Sequence, residues 1–360
     1  MTTKAPDPSA PATAPENTIG AVTGTPPGKP PTQVKITDVA AAAGVAPMTV
    51  SRVINTPDRV SAETTARVRA AIDRLGYVPN LIAGGLSSRR SRMVAAIVPT
   101  IAHPMFSGVV LAFTDSMRKA GYQVMLSISG YDEADDETVF RALLGRRPDA
   151  LLITGSAYSP GALQMLQEAR IPVVEIWDVP ARPLDMVIGF DHVRVGAEVA
   201  KFFLAKGHDR FATLMATDSR AVARSHGFAD AMRAGGAELV LEQVMPAPST
   251  IAAGREGLRT LLPHLDRRCA LLCSSDLLAF GAVTEARVQG VAMPETLAVC
   301  GFGNFELSEM NEPPITTVNV EGVQTGRNAA AVLLRRLAGE ESRQPEQIQV
   351  PFRIIERAST

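Results

Sequence analysis

Aromatic residues are scarce in this chain of 360 residues, where they make up 5% and tryptophan occurs once, as Trp177. The chain has three cysteines, and none of them forms a CxxC pair. Cys269, Cys273 and Cys300 each lie in an apolar run, so we expect buried thiols in a reducing cytoplasm rather than a metal or redox site. No run approaches the roughly 18 uncharged apolar residues of a membrane span, so a membrane protein is excluded.

Signatures of the common catalytic sites are also missing. There is no P-loop, no GxSxG and no HExxH, and the run GFGNF at residues 301–305 lacks the third glycine of a dinucleotide fingerprint. The five histidines are scattered along the chain. We therefore expect no enzyme, no cofactor and no metal.

The first 33 residues contain almost no bulky apolar side chains and are dominated by Pro, Ala, Thr and Gly. No apolar h-region follows a basic start, so the sequence predicts a disordered tail over residues 1–33 and not a secretory signal.

Charge is unevenly distributed, although the net charge is only −1. From Lys29 to Arg92 ten Lys or Arg side chains stand against four Asp or Glu, which leaves the remaining chain at −7. A basic module joined to an acidic body favours contacts with phosphate groups through counterion release.

Residues 34–79 have the pattern of a helix-turn-helix domain. In ITDVAAAAGV, Thr37 or the residue before it is expected to cap a first helix, and Gly44 supplies the turn. A second helix is predicted from about Pro47 to Asn55. A third begins after a Ser61 cap and ends at Gly76.

The outward face of the second helix carries the candidate DNA contacts. Arg52 can pair with guanine through two hydrogen bonds, while the hydroxyls of Thr49 and Ser51 suit phosphate. Met48 and Pro47 can read only apolar edges such as a thymine methyl group. The full set on this helix is Pro47, Met48, Thr49, Ser51, Arg52 and Asn55. An alternative interpretation is that these residues form only the solvent-exposed face of a small helical bundle.

From Met93 onward, short β-branched runs alternate with amphipathic stretches of helical length. The runs MVAAIVPT, YQVMLSIS, DALLIT and IPVVEIW predict one parallel sheet, and RFATLMA, LVLEQV, CALLCSS and LAVCGF predict a second. We expect an α/β domain of two doubly wound lobes over residues 93–360. The first lobe is predicted at about 93–190 plus 318–340, and the second at about 191–317 plus 341–360.

Polar and aromatic side chains follow several of these strands. The carboxyl ends of parallel strands face the cleft between two such lobes, which is where ligands bind. Carboxylates and Arg guanidiniums bind hydroxyl arrays, and flat rings stack on sugars. The candidate ligand contacts are His103, Phe106, Trp177, Asp178, Asp191, Arg224, Asp276 and Phe302. Simpler roles are open for several: Asp191 and Asp276 as helix N-caps, Trp177 as core and His103 as a loop residue. Glu175 lies inside a strand and needs a partner or an open cleft.

The run ITDVAAAAGVAPMTVSRVIN, with VSAETTARVRAAIDRLGYVPN after it, resembles the DNA-binding module of the LacI/GalR family, and the resemblance continues to PFRIIERAST. It implies a periplasmic-binding-protein-like large domain, and a hinge over residues 80–92 that folds on operator DNA and inserts Leu86 into the minor groove. Asn80 and Ala83 lie beside that leucine, and Thr37 and Tyr77 complete the expected DNA contacts. The resemblance also implies effector contacts at Asp178, Arg224, Asp276 and Phe302.

The hinge departs from the family pattern at Gly84 and Gly85. Each glycine costs a helix up to about 1 kcal/mol relative to alanine. We therefore expect a hinge that is harder to fold and an operator complex that is correspondingly weaker.

Within the family, PMTVSR, PVVEIWD and DMVIGFD are similar to gluconate-operon repressors. This implies a homodimeric cytoplasmic repressor of sugar-acid or carbohydrate catabolism, which binds double-stranded operator DNA and is controlled by gluconate or a phosphorylated sugar acid. Because the expected cleft holds several carboxylates, a neutral sugar or nucleoside stays open as effector. A transcriptional activator and a stand-alone sugar-binding receptor are also compatible with the sequence.

Overall fold

The computed structural model of the chain describes residues 34–78, 90–131, 136–155, 158–340 and 345–360. The chain separates into two compact units, Met1–Ser87 and Ser88–Thr360. We call the described part of the first unit, residues 34–78, the head, and the second unit the large domain. None of the helices in the described ranges combines the length and apolar character that crossing a bilayer requires.

The head is a bundle of three helices, α1 (Ile36–Ala43), α2 (Pro47–Asn55) and α3 (Ala62–Leu75). Val39, Val50 and Val68, one from each helix, are fully buried at its centre. Gly44 ends α1 and Gly76 ends α3, both in the left-handed conformation that glycine adopts without steric cost. The Ser61 hydroxyl accepts a hydrogen bond from Thr64 N at 3.3 Å, which confirms the predicted cap of α3.

The predicted cap of α1 is wrong. The helix begins at Ile36, so Lys35 is the N-cap and Thr37 lies within the first turn. Lys35 has no side-chain oxygen to accept a backbone hydrogen bond; instead the Asp38 carboxylate accepts one from Lys35 N at 2.8 Å. An acidic third residue thus replaces the hydroxyl that the prediction relied on.

The large domain contains two six-stranded sheets. The first has the strand order β2 (Gln123–Ile128), β1 (Met93–Val98), β3 (Ala150–Thr154), β4 (Val173–Trp177), β5 (Met186–Gly189) and β11 (Glu346–Gln349). The second has the order β7 (Glu238–Met245), β6 (Arg210–Ala216), β8 (Cys269–Cys273), β9 (Leu297–Phe302), β10 (Thr316–Val320) and β12 (Phe352–Ile355). All described pairs of the first sheet are parallel, and the second carries one antiparallel edge strand, β12. The predicted class of two doubly wound lobes is therefore confirmed.

The first lobe comprises β1 (Met93–Val98), α4 (Pro104–Lys119), β2 (Gln123–Ile128), α5 (Asp136–Leu144), β3 (Ala150–Thr154), α6 (Pro160–Ala169), β4 (Val173–Trp177), β5 (Met186–Gly189), α12 (Gly322–Leu337) and β11 (Glu346–Gln349). The second lobe comprises α7 (His192–Ala205), β6 (Arg210–Ala216), α8 (Ser219–Ala234), β7 (Glu238–Met245), α9 (Ile251–Leu261), β8 (Cys269–Cys273), α10 (Asp276–Val288), β9 (Leu297–Phe302), α11 (Glu306–Met310), β10 (Thr316–Val320) and β12 (Phe352–Ile355).

Two lobe boundaries differ from the prediction. Residues 318–320 were expected in the first lobe, but they belong to β10, which pairs in parallel with β9 of the second sheet. Residues 341–360 were expected in the second lobe, but β11 pairs in parallel with β5 of the first sheet. The run EQIQ of β11 contains one apolar residue. Because this strand joins the sheet through backbone pairing at its edge, its sequence shows no hydrophobic periodicity that would predict it.

The strand order places a topological switch between β1 and β3 in the first sheet and between β6 and β8 in the second. Parallel sheets of this kind bind ligands outside the carboxyl ends of the strands at such a switch. The loops after β1, β4, β6 and β8 meet there. All three cysteines lie instead inside the second sheet, buried as predicted, and burial raises the pKa of each thiol.

Candidate functional site

The exposed face of α2 is the candidate nucleic-acid surface of the head. Val50 and Val53 are buried against α1, whereas Arg52 and Asn55 are exposed and Met48 keeps 63% of its surface in solvent. Among the described residues the Arg52 guanidinium has no hydrogen-bond or ion-pair partner. A large apolar side chain and an unpartnered guanidinium on one open helix face are suited to base edges in a major groove.

Two of the remaining predicted contacts on α2 are less open than Arg52. Thr49 and Ser51 are half-buried, and the Asn55 amide donates to Ser51 O at 3.0 Å and lies 3.3 Å from Ser51 Oγ. Pro47 occupies the first turn of the helix. The polar groups of Ser51 and Asn55 are therefore partly engaged within the helix itself.

Thr37 is exposed on α1, and Tyr77 is half-buried beside the core of the head. The hinge contacts Asn80, Ala83 and Leu86 lie outside the described residues, as do Gly84 and Gly85. Their roles stay predictions.

The candidate ligand site is a pocket between the two lobes of the large domain. Its empty volume, part of which is open to solvent, is about 410 Å³. Four of the predicted residues line it together: His103, Phe106, Trp177 and Arg224. His103 and Phe106 follow β1 and Trp177 ends β4, so these three come from the first lobe, while Arg224 comes from α8 of the second.

Arg224 is the central charged group of the pocket. Its side chain is buried, and the guanidinium carbon lies 4.0 Å above the ring of Phe302. Nη2 donates to Ser274 O at 2.8 Å and Nη1 lies 2.9 Å from His192 Nδ1, whereas the buried Nε has no partner within the described ranges. Burial lowers the pKa of Arg224 to about 10, so the side chain stays charged at neutral pH.

His192 and Asp178 lie behind this arginine. Because a guanidinium only donates, His192 Nδ1 must accept from Arg224, which leaves the ring proton on Nε2, 3.1 Å from Asp178 Oδ1. Burial lowers the pKa of His192 to about 4, so the ring is neutral. Burial alone would raise the pKa of Asp178. The contact with His192 and the charge of Arg220 together lower it by more than burial raises it, so the pKa lies below its ordinary value.

Two further buried polar atoms, on residues that line the pocket, have no partner in the part of the chain that the structure describes. They are the Trp177 indole Nε1 and the His103 Nδ1. Burial lowers the pKa of His103 to about 4, so its ring is also neutral. Trp177 adopts a φ of 79°, an unfavourable backbone conformation for a bulky residue that is typical of functional sites.

The other predicted ligand residues do not line the pocket. Asp191 is exposed and caps α7, accepting from Arg194 N at 3.1 Å. Asp276 is buried, and its oxygens accept from Phe305 N at 2.8 Å and Thr317 Oγ1 at 2.5 Å, while Ser275 caps α10. Of these two aspartates, only Asp191 is therefore a helix N-cap.

Phe302 and Asp178 contact side chains that line the pocket. Phe302 is buried beneath Arg224, and Asp178 contacts His192 and lies 3.8 Å from Arg220. Neither belongs to the wall of the pocket itself. Glu175, which needed a partner, has two: Tyr158 Oη donates to it at 3.0 Å and Leu184 N at 2.8 Å.

Sequence reasoning missed several pocket residues, among them Tyr131, His192, Asp218 and Arg220. Two of them had detectable signals. Arg220 stands four residues before Arg224, which places both on one face of a helix, and Asp218 precedes that helix as its N-cap. Tyr131 and His192 are brought in by loop and helix packing, which no sequence period marks.

Comparison with known proteins agrees with this architecture. Residues 35–80 match the model for bacterial regulatory proteins of the lacI family, and residues 200–360 match the periplasmic binding protein-like domain. The HTH-type transcriptional regulator GntR of Pseudomonas aeruginosa is 33% identical over 327 residues, which are 90% of this chain and 95% of that protein. The chain belongs to the lacI family of bacterial regulatory proteins.

Solved structures resemble most of the chain. A LacI family regulator from Silicibacter pomeroyi is 32% identical with a TM-score of 0.85, covering 91% of this chain and 99% of that one. A lac repressor dimer bound to operator has the same fold at 24% identity and a TM-score of 0.77, covering 91% and 99%. This lacI-family chain is thus a DNA-binding transcription regulator that responds to a small ligand, and it is not an enzyme.

Proposed function

We propose that this lacI-family chain is a homodimeric repressor of sugar-acid catabolism genes, released from its operator when gluconate or a phosphorylated sugar acid binds between the lobes. The observation that carries the ligand class is the set of unpartnered polar atoms at the pocket: Arg224 Nε, Trp177 Nε1 and His103 Nδ1. Arginine and tryptophan can only donate hydrogen bonds. The ligand therefore has to bring acceptor oxygens.

The charge of Arg224 favours an acidic ligand. Among the described residues no carboxylate makes a hydrogen bond to this buried cation, and a buried charge without such a partner is costly. A ligand carboxylate or phosphate would satisfy the guanidinium with charge-assisted hydrogen bonds. The rings of Phe106 and Trp177, 6.1 Å apart and perpendicular, offer an apolar wall for the carbon chain.

A neutral sugar or nucleoside is the second candidate. Asp178 lies 3.8 Å from Arg220 Nη1, and Asp218 lies 4.0 Å from Arg220 Nε. Two carboxylates thus accompany the two arginines around the pocket, and a neutral polyol would also suit such a balanced site.

Both lobes contribute to the pocket, which gives the ligand a means of control. Asp178 of the first lobe contacts His192 and Arg220 of the second, so a molecule that replaces these contacts changes how the lobes meet. Ligand and DNA then compete through one conformational equilibrium, and operator DNA must weaken ligand binding as much as ligand weakens DNA binding. A coupling of about 1–3 kcal/mol is typical.

Dimerisation would place two copies of α2 on the two halves of a palindromic operator. Apolar side chains that are unusually exposed on the first lobe, Leu111 on α4 and Ile128 on β2, support a partner surface there. Such a repressor acts in the cytoplasm, where bacterial DNA is found.

The test is a thermal-shift screen of sugar acids, phosphorylated sugar acids, neutral sugars and nucleosides against the purified protein and its Arg224→Lys variant. We expect a sugar acid to raise the melting temperature of the parent. The variant should bind it about 10- to 100-fold more weakly, because lysine keeps the charge but lacks the planar fork.

Arg52→Ala is the matched control, because it changes the head and should keep the full ligand-induced shift while losing preference for operator sequence. A shift produced by neutral sugars alone would contradict the proposed ligand class. Equal ligand affinity in the parent and in Arg224→Lys would place the ligand elsewhere.

A further inference from the structure

A second groove lies on the first lobe, away from the cleft between the lobes. It runs between the carboxyl ends of α5 and α6 and the loops that lead into β3 and β4. Its charged lining consists of Arg90, Arg141, Arg147, Asp149, Glu168 and Arg170. The ligand pocket is at the opposite, carboxyl ends of the strands, so the two sites are separate.

Two of these arginines occupy unfavourable backbone positions. Arg147 has a φ of 52° and Arg170 a φ of 49°, the left-handed region, which costs a non-glycine residue about 1–2 kcal/mol. Glycine fills the same conformation at Gly44 and Gly76 in the head. In the groove, arginine occupies two positions at which glycine would make the backbone conformation more stable.

The positive charge of the groove is only weakly compensated. Within the described part of the chain, the guanidiniums of Arg147 and Arg170 have no hydrogen-bond or ion-pair partner. Arg141 approaches Glu137 only to 4.0 Å, with both side chains largely exposed, a geometry that contributes little.

Asp149 forms no ion pair with these arginines among the described residues, and the four arginines against Asp149 and Glu168 leave the groove a net charge of +2. Its carboxylate accepts hydrogen bonds from Ser91 N at 2.7 Å, Ser91 Oγ at 2.9 Å and Arg92 N at 2.9 Å. Both oxygens are therefore engaged in holding the first residues of the large domain against the sheet. A basic groove thus stands out on a domain whose side chains are acidic in sum.

The groove adjoins the point where the chain enters the large domain. Arg90, which lines it, donates to Leu337 O at 2.9 Å and is separated from Val78 of the head by residues 79–89. Twelve residue steps span at most about 43 Å even when fully extended. A duplex held by the head is therefore kept at a high local concentration near the groove.

We propose that Arg141, Arg147 and Arg170 bind phosphodiester groups of the DNA that flanks the sequence read by the head. Guanidinium forks match phosphate geometry, and contacts of this kind add affinity without sequence preference. The groove thus extends the DNA-binding surface of this regulator beyond the helix-turn-helix. A free phosphorylated molecule would use the same chemistry, and the experiment separates the two.

The full-length protein is compared with two triple variants. The groove variant carries Arg141→Ala, Arg147→Gly and Arg170→Gly, in which the glycines also relieve the left-handed backbone, so it should be at least as stable as the parent. The control variant, Arg182→Ala, Arg287→Ala and Arg353→Ala, removes three exposed arginines from other surfaces and matches the change in net charge.

Binding to a fluorescent duplex of random sequence is measured over a series of KCl concentrations. Each lost phosphate contact lowers the slope of log Kd against log salt by about 0.9, so we expect the groove variant to lose about 2–3 in slope. The control variant should keep the parental slope. Equal slopes in the groove and control variants overturn the proposal.

A second arm uses inorganic phosphate at constant ionic strength. If phosphate raises the melting temperature of the parent but not of the groove variant, while the DNA slopes stay equal, the groove binds small phosphates and the DNA proposal is wrong. Failure of the ligand proposal would leave both arms unchanged, because neither uses the pocket between the lobes.

Discussion

At the scale of single residues, the ligand pocket depends on neutral histidines beside charged arginines. His192 accepts from Arg224 only because its ring is deprotonated at Nδ1, and burial keeps it so by lowering its pKa to about 4. A protonated ring would have no acceptor for the guanidinium. The orientation of Arg224 is therefore tied to a histidine that sequence analysis did not select.

A third buried histidine gives a prediction on acid stability. His208 is buried just after α7, neither ring nitrogen has a partner among the residues described, and burial lowers its pKa from 6.5 to about 4. The unfolded chain binds this proton at a higher pH than the folded one, so stability is lost as pH falls from 6.5 towards 4. We expect His208 alone to contribute a loss of about 1 kcal/mol between pH 7.5 and 5.5.

His208→Leu tests this by urea denaturation at the two pH values. The variant should lose about 1 kcal/mol less than the parent on acidification, whatever its stability at pH 7.5. A parent and variant with the same pH dependence would show that His208 does not contribute.

Residue chemistry was only partly predictable. The sequence placed Phe106, Trp177 and Arg224 correctly at strand ends and on the following helix, because those positions depend on topology. It could not tell which carboxylates face a ligand. Asp191 and Asp276 both lie at the start of a helix, yet Asp191 caps α7 at the surface and Asp276 is buried among backbone and hydroxyl donors.

At the scale of elements, the contact between α7 and α8 holds the pocket in place. Gly196 on α7 lies directly against the Arg224 carbonyl, and Gly227 on α8 lies against the Val193 carbonyl. A methyl group at either glycine would overlap the backbone of the other helix. This close approach lets His192 of α7 reach Arg224 of α8.

Gly196→Ala should therefore impair both stability and ligand response. Separating the helices costs packing throughout the second lobe, typically about 1–3 kcal/mol for overpacking, and displaces Arg224 from His192. Thermal melts with and without the ligand found by the screen measure both effects.

Gly108→Ala on α4 is the control, because the nearest atom to the added methyl group is Val323 Cγ2 at 3.8 Å. There alanine should be neutral or should stabilise the helix by about 0.5–1 kcal/mol. A Gly196→Ala variant as stable and responsive as this control would contradict the packing argument.

Elements with a clear hydrophobic period were predicted well. Helix α2 runs from Pro47 to Asn55 as expected, because its proline start and its buried valines both mark it. The strand β11 was missed, since four largely polar residues at a sheet edge carry no such mark.

At the scale of the whole molecule, regulation requires that the hinge connect the head to the large domain. We expect Gly84→Ala with Gly85→Ala to tighten operator binding, because removing two glycines favours a helical hinge by up to about 2 kcal/mol. Induction should weaken correspondingly. Gel-shift titrations with and without ligand measure both, and unchanged operator affinity together with an unchanged ligand response would contradict the prediction.

The interleaving of the two sheets also has a consequence for synthesis on the ribosome. The core of the head is complete once residue 77 has been made, since all its members lie between residues 34 and 77. Neither sheet of the large domain is complete before its last strand, β11 at residue 349 or β12 at residue 355. Translation that stops at residue 340 would thus release a finished DNA-binding module attached to two lobes that each lack an edge strand.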